Sequence, residues 1–182
     1  MKRLITFACL ASLGLSASAF EITSADIKAG QTLDNAQVFN GFGCTGGNVA
    51  PQLSWKNAPK DTKSFAVTVY DPDAPTGSGW WHWIVYDIPA AFSGLPGGAS
   101  SAAEAKVKLP EGAKQGRNDY GVRDFGGACP PVGDKPHRYI FTVHALKVDK
   151  LGVPEDASAA LIGYMLNANS LGRASFTARY GR

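Results

Sequence analysis

Three segments of the chain carry the apolar, β-branched and aromatic residues that are typical of buried β-strands. Residues 64–70 (SFAVTVY) end at a cluster of Asp and Pro residues, residues 82–88 (HWIVYDI) end at Pro89, and residues 138–148 (RYIFTVHALKV) form the longest of the three. Short apolar runs that are bounded by turn residues indicate strands rather than helices. The pattern therefore predicts three strands of a β-sheet.

One further segment has the periodicity of a helix. Residues 155–169 follow Pro154 and begin with two acidic residues, which favour the positive N-terminal end of a helix. Its predicted apolar face consists of Ala157, Leu161, Tyr164, Met165 and Ala168. Residues 90–136 are dense in Gly and Pro and are expected to form ordered loops. The expected fold class is mainly β: an antiparallel, β-rich α+β domain with a C-terminal helix.

Composition is that of one globular domain. The chain has 182 residues, of which 45% are apolar and 18% are charged, so intrinsic disorder is excluded for most of its length. The 21 Gly and 11 Pro residues fit strands and turns better than a helical bundle. Eighteen basic and 15 acidic residues give a formal net charge of +3, which is too small to indicate a nucleic-acid partner.

The first 19 residues are expected to be a signal peptide. Lys2 and Arg3 precede an apolar region at residues 4–15, and residues 17–19 (ASA) form a small-residue cleavage site. A membrane anchor or a buried first helix fits less well, because a bilayer span needs about 20 apolar residues. Cleavage would leave one domain, residues 20–182, in the periplasm or secreted, with no integral membrane segment. Losing Lys2 and Arg3 takes the basic residues from 18 to 16 against 15 acidic ones, a net charge of +1.

Two of the three cysteines are expected to form a disulfide. Cys9 lies in the predicted signal peptide, which leaves Cys44 and Cys129 in a chain bound for an oxidising compartment. The alternative is a pair of independent buried thiols.

Several residues at predicted strand ends are able to carry chemistry. His82 and His137 each open a strand, and Asp71 closes one. Because side chains alternate along a strand, His137 and Tyr139 share a face while Arg138 points the other way. A carboxylate, two imidazoles and a phenol at one sheet edge would form a polar pocket, in which the Asp orients one imidazole. The alternative is that each histidine is structural. His144 shares the parity of Arg138 and is interpreted as structural or on the surface.

Other kinds of site have weaker support. No HExxH, GxSxG, P-loop or Rossmann motif is present, so we expect no metal, no cofactor and no catalytic serine. Acid–base catalysis by His82 and Asp71 is an open alternative. Trp80, Trp81 and Trp83 are interpreted either as strand packing or as a surface for docking or stacking.

Taken together, four motifs resemble the phosphatidylethanolamine-binding protein (PEBP) family in its bacterial, YbhB/YbcL-like branch. They are residues 70–75 (YDPDAP), 81–83 (WHW), 129–133 (CPPVG) and 135–139 (KPHRY). The match extends in order over nearly the whole expected mature chain.

The resemblance implies a large antiparallel sheet packed with a smaller one and a small cavity for phosphate-like groups at one end. Carried over by motif, the cavity lining would be Asp71, His82, His137 and Tyr139, with Pro130 and Pro131 at the rim. It also makes a cis peptide bond plausible between Ala74 and Pro75.

The leading functional hypothesis is a periplasmic, non-catalytic protein that binds a phosphate-type anion, such as a phospholipid head group or a phosphorylated group. The alternative is an inhibitor or protein-interaction module that acts on a kinase, protease or host target, with the Trp80–Trp83 surface as its docking patch. A hydrolase or lyase is the third hypothesis.

Overall fold

Antiparallel strand pairing dominates the computed structural model of the protein, which describes residues 18–100, 102 and 104–182. Residues 1–17, and with them most of the predicted signal peptide, lie outside the described residues. The strands are β1 (Glu21–Thr23), β2 (Asn40–Gly41), β3 (Cys44–Thr45), β4 (Leu53–Lys56), β5 (Ser64–Asp71), β6 (Trp80–Pro89), β7 (Gly94–Leu95), β8 (Ala99–Ser100), β9 (Val107–Lys108), β10 (Lys114–Gln115), β11 (His137–Leu146) and β12 (Ser170–Tyr180). The helices are a 3-10 turn at Asn35–Gln37 and α1 (Ala159–Asn169).

The strands form one large and one small antiparallel sheet. The large sheet has five strands in the order β10-β6-β5-β11-β12, and the small sheet has three in the order β1-β4-β7. Two further strand pairs, β2-β3 and β8-β9, lie in the loops. This arrangement confirms the predicted fold class, a large antiparallel sheet packed with a smaller one.

One apolar core joins the two sheets. Trp55 of the small sheet contacts Phe65 of the large sheet, with ring centroids 5.2 Å apart. Phe65, Val67 and Val69 of β5 point into this core, while Ala66 between them belongs to a second cluster under the helix. Both faces of β5 are therefore covered at this end, which explains why its sequence is continuously apolar rather than alternating.

The helix is shorter than the sequence pattern predicts, and it buries a different face. Ser158 caps it, and its hydroxyl accepts a hydrogen bond from the Leu161 backbone N–H (3.2 Å). Its buried residues are Ala159, Ile162 and Leu166. Leu161 and Tyr164 of the predicted face are 40% and 68% exposed, so that part of the prediction is wrong. Apolar residues occur on more than one face of this helix, so periodicity alone does not select the buried one.

Strand β12 is absent from the predicted elements. It pairs with β11 along its whole length, from His137 opposite Tyr180 to Leu146 opposite Ser170. Most of its residues are partly or fully exposed because it lies at the edge of the sheet. Its small and charged residues give little of the apolar signal that identified β5, β6 and β11.

The loops between β6 and β11 are ordered by short strands and by Phe125, which is buried in the core. No peptide bond in the described parts of the chain is cis, so the expectation of a cis bond between Ala74 and Pro75 is wrong. Among the same residues, no helix is long and apolar enough to cross a bilayer.

The predicted disulfide between Cys44 and Cys129 is present. It joins β3 to the loop that precedes Pro130, over a sequence separation of 85 residues. Hydrogen bonds beside it reinforce the connection, since the Phe39 N–H donates to the Ala128 carbonyl (2.9 Å).

Replacing both cysteines, as Cys44→Ala/Cys129→Ala, is expected to lower the free energy of unfolding by roughly 2–5 kcal/mol, because the long loop would no longer be closed in the unfolded chain. Urea denaturation of the oxidised wild type and the double variant measures this difference. Equal midpoints and slopes would show that the bridge contributes no stability.

Candidate functional site

A cavity of about 230 Å³ opens at the end of the large sheet where β5, β6 and β11 meet. All six residues that the sequence predicted for a site line it: Asp71, His82, Pro130, Pro131, His137 and Tyr139. Sequence reasoning did not assign seven further lining residues to the site: Phe42, Ala74, Pro75, Thr76, Trp80, Tyr120 and Cys129. Five of these lie in or beside motifs that were recognised, at residues 70–75, 81–83 and 129–133. Phe42 and Tyr120 come from loops whose position depends on tertiary packing.

Strand pairing brings the polar groups together. Asp71 is the last residue of β5 and lies opposite Trp80, near the start of β6. His137 begins β11, and Tyr139 follows on the same face, as the alternation predicts. Both side chains are buried.

Arg138 faces outward and fixes the turn that follows β5. Its guanidinium donates to the Asp73 carboxylate at 2.7 and 2.9 Å, and its backbone N–H donates to the same group at 2.9 Å. The side-chain hydrogen bond from Arg138 lowers the pKa of Asp73 to about 2. The turn at residues 71–75 is thereby tied to β11 beside the cavity.

His137 is held between two carboxylates. Its Nδ1 lies 2.7 Å from Asp71 Oδ2, and both side chains are almost fully buried. Its Nε2 lies 3.3 Å from Oδ2 of Asp134, which is partly exposed. The second Asp71 oxygen accepts the Asp73 N–H at 2.8 Å. The imidazole that Asp71 orients is therefore His137, and both of its ring nitrogens are engaged.

His82 presents one free ring nitrogen. Its Nδ1 lies 2.8 Å from the Gly126 carbonyl oxygen, which can only accept a hydrogen bond, so Nδ1 carries a proton. Burial lowers the pKa of His82 below its usual value, which keeps the ring neutral near pH 7. Its Nε2 then has a lone pair, and this buried atom has no hydrogen-bond partner among the described residues.

Two hydrogen-bond donors on the cavity wall are also unused. The Tyr139 hydroxyl and the Trp80 indole N–H are buried, and neither has a partner within the described part of the chain. Burial, followed by the charge of Asp71, raises the pKa of Tyr139, so this phenol stays protonated. The rings of His82 and Tyr139 meet edge to face with centroids 5.0 Å apart. Three residues that line the cavity thus carry two donors and one acceptor that the described residues do not satisfy.

The family model described as phosphatidylethanolamine-binding protein matches residues 23–181. The chain belongs to the PEBP family. YbcL of Escherichia coli (strain K12) is 56% identical over 182 residues, which cover 99% of this chain and 98% of YbcL. YbhB of the same organism is 48% identical over 160 residues, which cover 88% of this chain and 99% of YbhB. The crystal structure of E. coli YbcL superimposes with a TM-score of 0.85 over 91% of this chain and 99% of that one.

Two links hold the rim of this PEBP cavity. The disulfide fixes Cys129, and Arg182 bonds three backbone carbonyls. The Arg182 Nε donates to Pro130 at 2.7 Å, and its terminal nitrogens donate to Gly43 and Phe42 at 3.0 and 3.2 Å. The rim loop and the β2-β3 hairpin are therefore fastened to each other on the side where Phe42 stands.

Of the two interpretations of the tryptophans, strand packing describes Trp83, so the three side chains do not share one exposed patch. Trp83 is fully buried and packs against Phe125 in the core. Trp81 packs against Tyr70, with ring centroids 4.8 Å apart, and Trp80 lines the cavity. Strand alternation separates Trp80 from Trp81, and the irregular pairing between Val69–Trp83 and Tyr70–Trp81 places Trp81 and Trp83 on different faces of the sheet.

Asp71 bonds His137, whereas Nδ1 of His82 bonds the Gly126 carbonyl, so the alternative acid–base pair of His82 and Asp71 shares no direct hydrogen bond. No group of three or more His, Cys, Asp and Glu side chains in the described residues is arranged to hold a metal ion.

The free energy of unfolding should decrease as the pH falls, because two buried histidines resist protonation in the folded chain. Burial lowers the pKa of His82, and burial together with Arg173 lowers that of His144 to about 4. The unfolded chain takes up protons at these side chains near pH 6.5 while the folded chain does not, so the stability present at pH 7 is lost as the pH falls below about 6.5.

Urea denaturation between about pH 7 and about pH 5 measures this loss. His144→Gln should reduce the dependence on pH by about half, because one of the two groups is removed. A wild-type stability that is constant or rises over this range would contradict the assignment of neutral, buried rings.

Proposed function

We propose that this protein binds a phosphate-type anion in the PEBP cavity, as a phospholipid head group or a phosphorylated group. The observation that carries the proposal is the clustering of unsatisfied polar atoms. Six buried side-chain polar atoms of the described residues lack a partner, and three of them, on Trp80, His82 and Tyr139, belong to residues that line this cavity. Leaving such atoms unpaired costs about 1–3 kcal/mol each, so a ligand that satisfies them gains affinity.

A phosphate group matches these atoms chemically. Its unprotonated oxygens accept hydrogen bonds from the Tyr139 hydroxyl and the Trp80 N–H. Inorganic phosphate keeps a P–OH group near neutral pH, which donates to Nε2 of neutral His82, and a phosphate monoester has such a group below its second pKa of about 6. A phosphodiester head group has no proton to donate and uses the two donor contacts only. Asp71 does not contact the phosphate in this arrangement, because its carboxylate bonds His137.

The size of the cavity fits a head group rather than a whole lipid. A volume of about 230 Å³ is below the range of about 300–1,000 Å³ that is common for drug-sized ligands. The rest of a larger ligand would lie outside, beside Phe42, which is 71% exposed at the rim.

The contacts of His82 support a protein that binds its ligand without catalysing a reaction. No carboxylate of the described residues bonds His82, and the hydrogen bond of its Nδ1 goes to a backbone carbonyl. A general base normally acts with an orienting partner and a nucleophile in reach. The proposed location is the periplasm, which rests on the signal-peptide pattern and agrees with the disulfide.

A protein target is the second candidate. Phe42 at the cavity rim and Val132, which follows the rim prolines, are 71% and 76% exposed. Exposed apolar side chains beside an anion site suit a partner that presents a phosphorylated residue. In this case the cavity binds the same phosphate oxygens, and the partner adds contacts at Phe42 and Val132.

Tyr139→Phe is expected to weaken the binding of inorganic phosphate by about tenfold or more, because a hydrogen bond to a charged group is lost. Stability should stay the same or rise, since the deleted hydroxyl has no partner among the residues that the structure describes. Isothermal titration calorimetry and thermal unfolding measure the two effects.

Tyr120→Phe is the matched control. Its hydroxyl donates to the Gly127 carbonyl at 2.9 Å, so the substitution should lower stability by about 1 kcal/mol and leave phosphate affinity nearly unchanged. Equal phosphate affinity in the wild type and Tyr139→Phe would reject the proposed site.

Phosphate should bind more tightly than sulfate at pH 7. Sulfate carries no proton there, so it cannot donate to His82 Nε2, and its binding requires protonation of a ring whose pKa burial has lowered. The two affinities should depend differently on pH. The affinity for sulfate should increase as the pH falls from about 8 to about 6, because its complex contains a proton on His82 that the free ring lacks, whereas inorganic phosphate carries a P–OH group over this whole range and its affinity should depend less on pH. Competition experiments by NMR measure them. Sulfate binding as tightly as phosphate at pH 7, or a sulfate affinity that does not increase as the pH falls, would contradict the role given to His82.

A further inference from the structure

The opposite face of the large sheet carries a second concave site. Helix α1 covers only part of this face, where Ile162 and Leu166 pack on Ala66, Ile84 and Leu146. Beside the helix a groove of about 610 Å³ remains, bounded by β5, β11 and β12. This volume is within the range that drug-sized ligands occupy.

The floor of the groove carries a row of hydroxyl groups. Thr68 of β5 lies opposite Thr142 of β11, and Thr142 lies opposite Ser175 of β12. Directly opposite residues have Cβ atoms about 5 Å apart, so the three hydroxyls form a line across three strands. A row of this kind offers hydrogen bonds in place of the apolar contacts that a covered sheet face would make.

The adjacent row contains a buried imidazole and a cation. His144 lies opposite Arg173, and both line the groove. His144 is only 7% exposed, its Nε2 lies 3.5 Å from the Thr68 hydroxyl, and its buried Nδ1 has no partner among the described residues. Burial lowers its pKa to about 4, so the ring is neutral near pH 7. With the proton on Nδ1, Nε2 faces the Thr68 hydroxyl as an acceptor and an N–H donor is left over.

The charge of the groove has one sign. Arg173 makes no ion pair with any described carboxylate, and no described Asp or Glu lines the groove. A single guanidinium, an unused imidazole N–H and a row of hydroxyls form a set of donors that complements a carboxylate.

The far end of the groove is aromatic. Tyr70 and Trp81 pack with ring centroids 4.8 Å apart. The helix comes close to them at Gly163, where a Cβ atom would lie 3.2 Å from the Trp81 ring. Ala66, opposite His144, is four residues before Tyr70 on β5, a distance of about 13 Å at ~3.3 Å per residue. The long Arg173 side chain shortens the distance that a ligand has to span. A ligand that reaches both ends is therefore about 10 Å long.

We propose that this groove binds an organic carboxylate with a flat apolar body, its carboxylate at Arg173 and His144 and its body against Tyr70 and Trp81. The site is separate from the phosphate cavity and lies on the other face of the sheet. The proposal therefore stands or falls independently of the function proposed above.

The probe is 4-phenylbutyrate, with 4-phenylbutanamide as its neutral counterpart and benzoate as a shorter carboxylate. NMR spectra of the histidine rings and tryptophan indoles of the full-length protein report binding. We expect 4-phenylbutyrate to shift the His144 and Trp81 signals in a saturable way. The amide and benzoate should bind at least about tenfold more weakly, since one lacks the charge and the other the length.

Arg173→Gln should weaken 4-phenylbutyrate binding by about tenfold or more. Arg179→Gln is the matched control, because Arg179 lies six residues along the same strand and outside the groove lining. This substitution should leave the affinity for 4-phenylbutyrate unchanged. Tyr139→Phe should also leave this binding unchanged, which separates the groove from the phosphate cavity. Thermal unfolding verifies that each variant is folded.

Failure of 4-phenylbutyrate to shift these signals at millimolar concentration would overturn the proposal. Equal binding of the amide, or undiminished binding to a folded Arg173→Gln variant, would overturn it as well.

Discussion

The antiparallel pairing of β5 with β6 and β11 determines where the chemistry of this protein lies. The pairing places the end of β5 beside the starts of its two neighbours, so Asp71, His82 and His137 meet although up to 66 residues separate them. The buried contact between Asp71 and His137 then joins the ends of β5 and β11. Because side chains alternate across the pleat, the same register assigns His137 and Tyr139 to the cavity, and His144 and Thr142 to the groove on the opposite face.

The protein keeps several polar atoms buried at a cost in stability. The Tyr139 hydroxyl, His82 Nε2 and the Trp80 N–H lose their hydration without gaining a partner in the described part of the chain. Such an arrangement persists only where the surrounding structure is rigid enough to hold it. Here the disulfide, the three carbonyl contacts of Arg182 and the Asp73–Arg138 pair fasten the loops around the cavity. The groups that fasten these loops have their bonding partners, whereas the three unpaired polar atoms are available to a ligand.

The sequence was sufficient for the parts of the fold that depend on local pattern. The three strongest strands were predicted to within one or two residues at each end, and the pairing of Cys44 with Cys129 was also correct. The sequence was insufficient where tertiary contacts determine the structure. Strand β12 has an edge-strand composition that resembles a loop, and α1 has apolar residues on several faces. The roles of Phe42 and Tyr120 in the cavity likewise depend on how distant loops pack. The lining by His82, His137 and Tyr139 was anticipated from motifs, whereas the link of Asp71 to His137 rather than to His82 required the structure.

The central claim is that a phosphate group occupies the space next to His82 Nε2 and the Tyr139 hydroxyl. Ring-nitrogen NMR of the uniformly 15N-labelled protein during titration with inorganic phosphate tests it most directly. We predict that free His82 shows a protonated Nδ1 and an unprotonated Nε2 at pH 7, and that phosphate moves the Nε2 signal saturably while His144 stays unchanged. A His82 signal that does not respond to phosphate, or that moves no more than His144, would contradict the account.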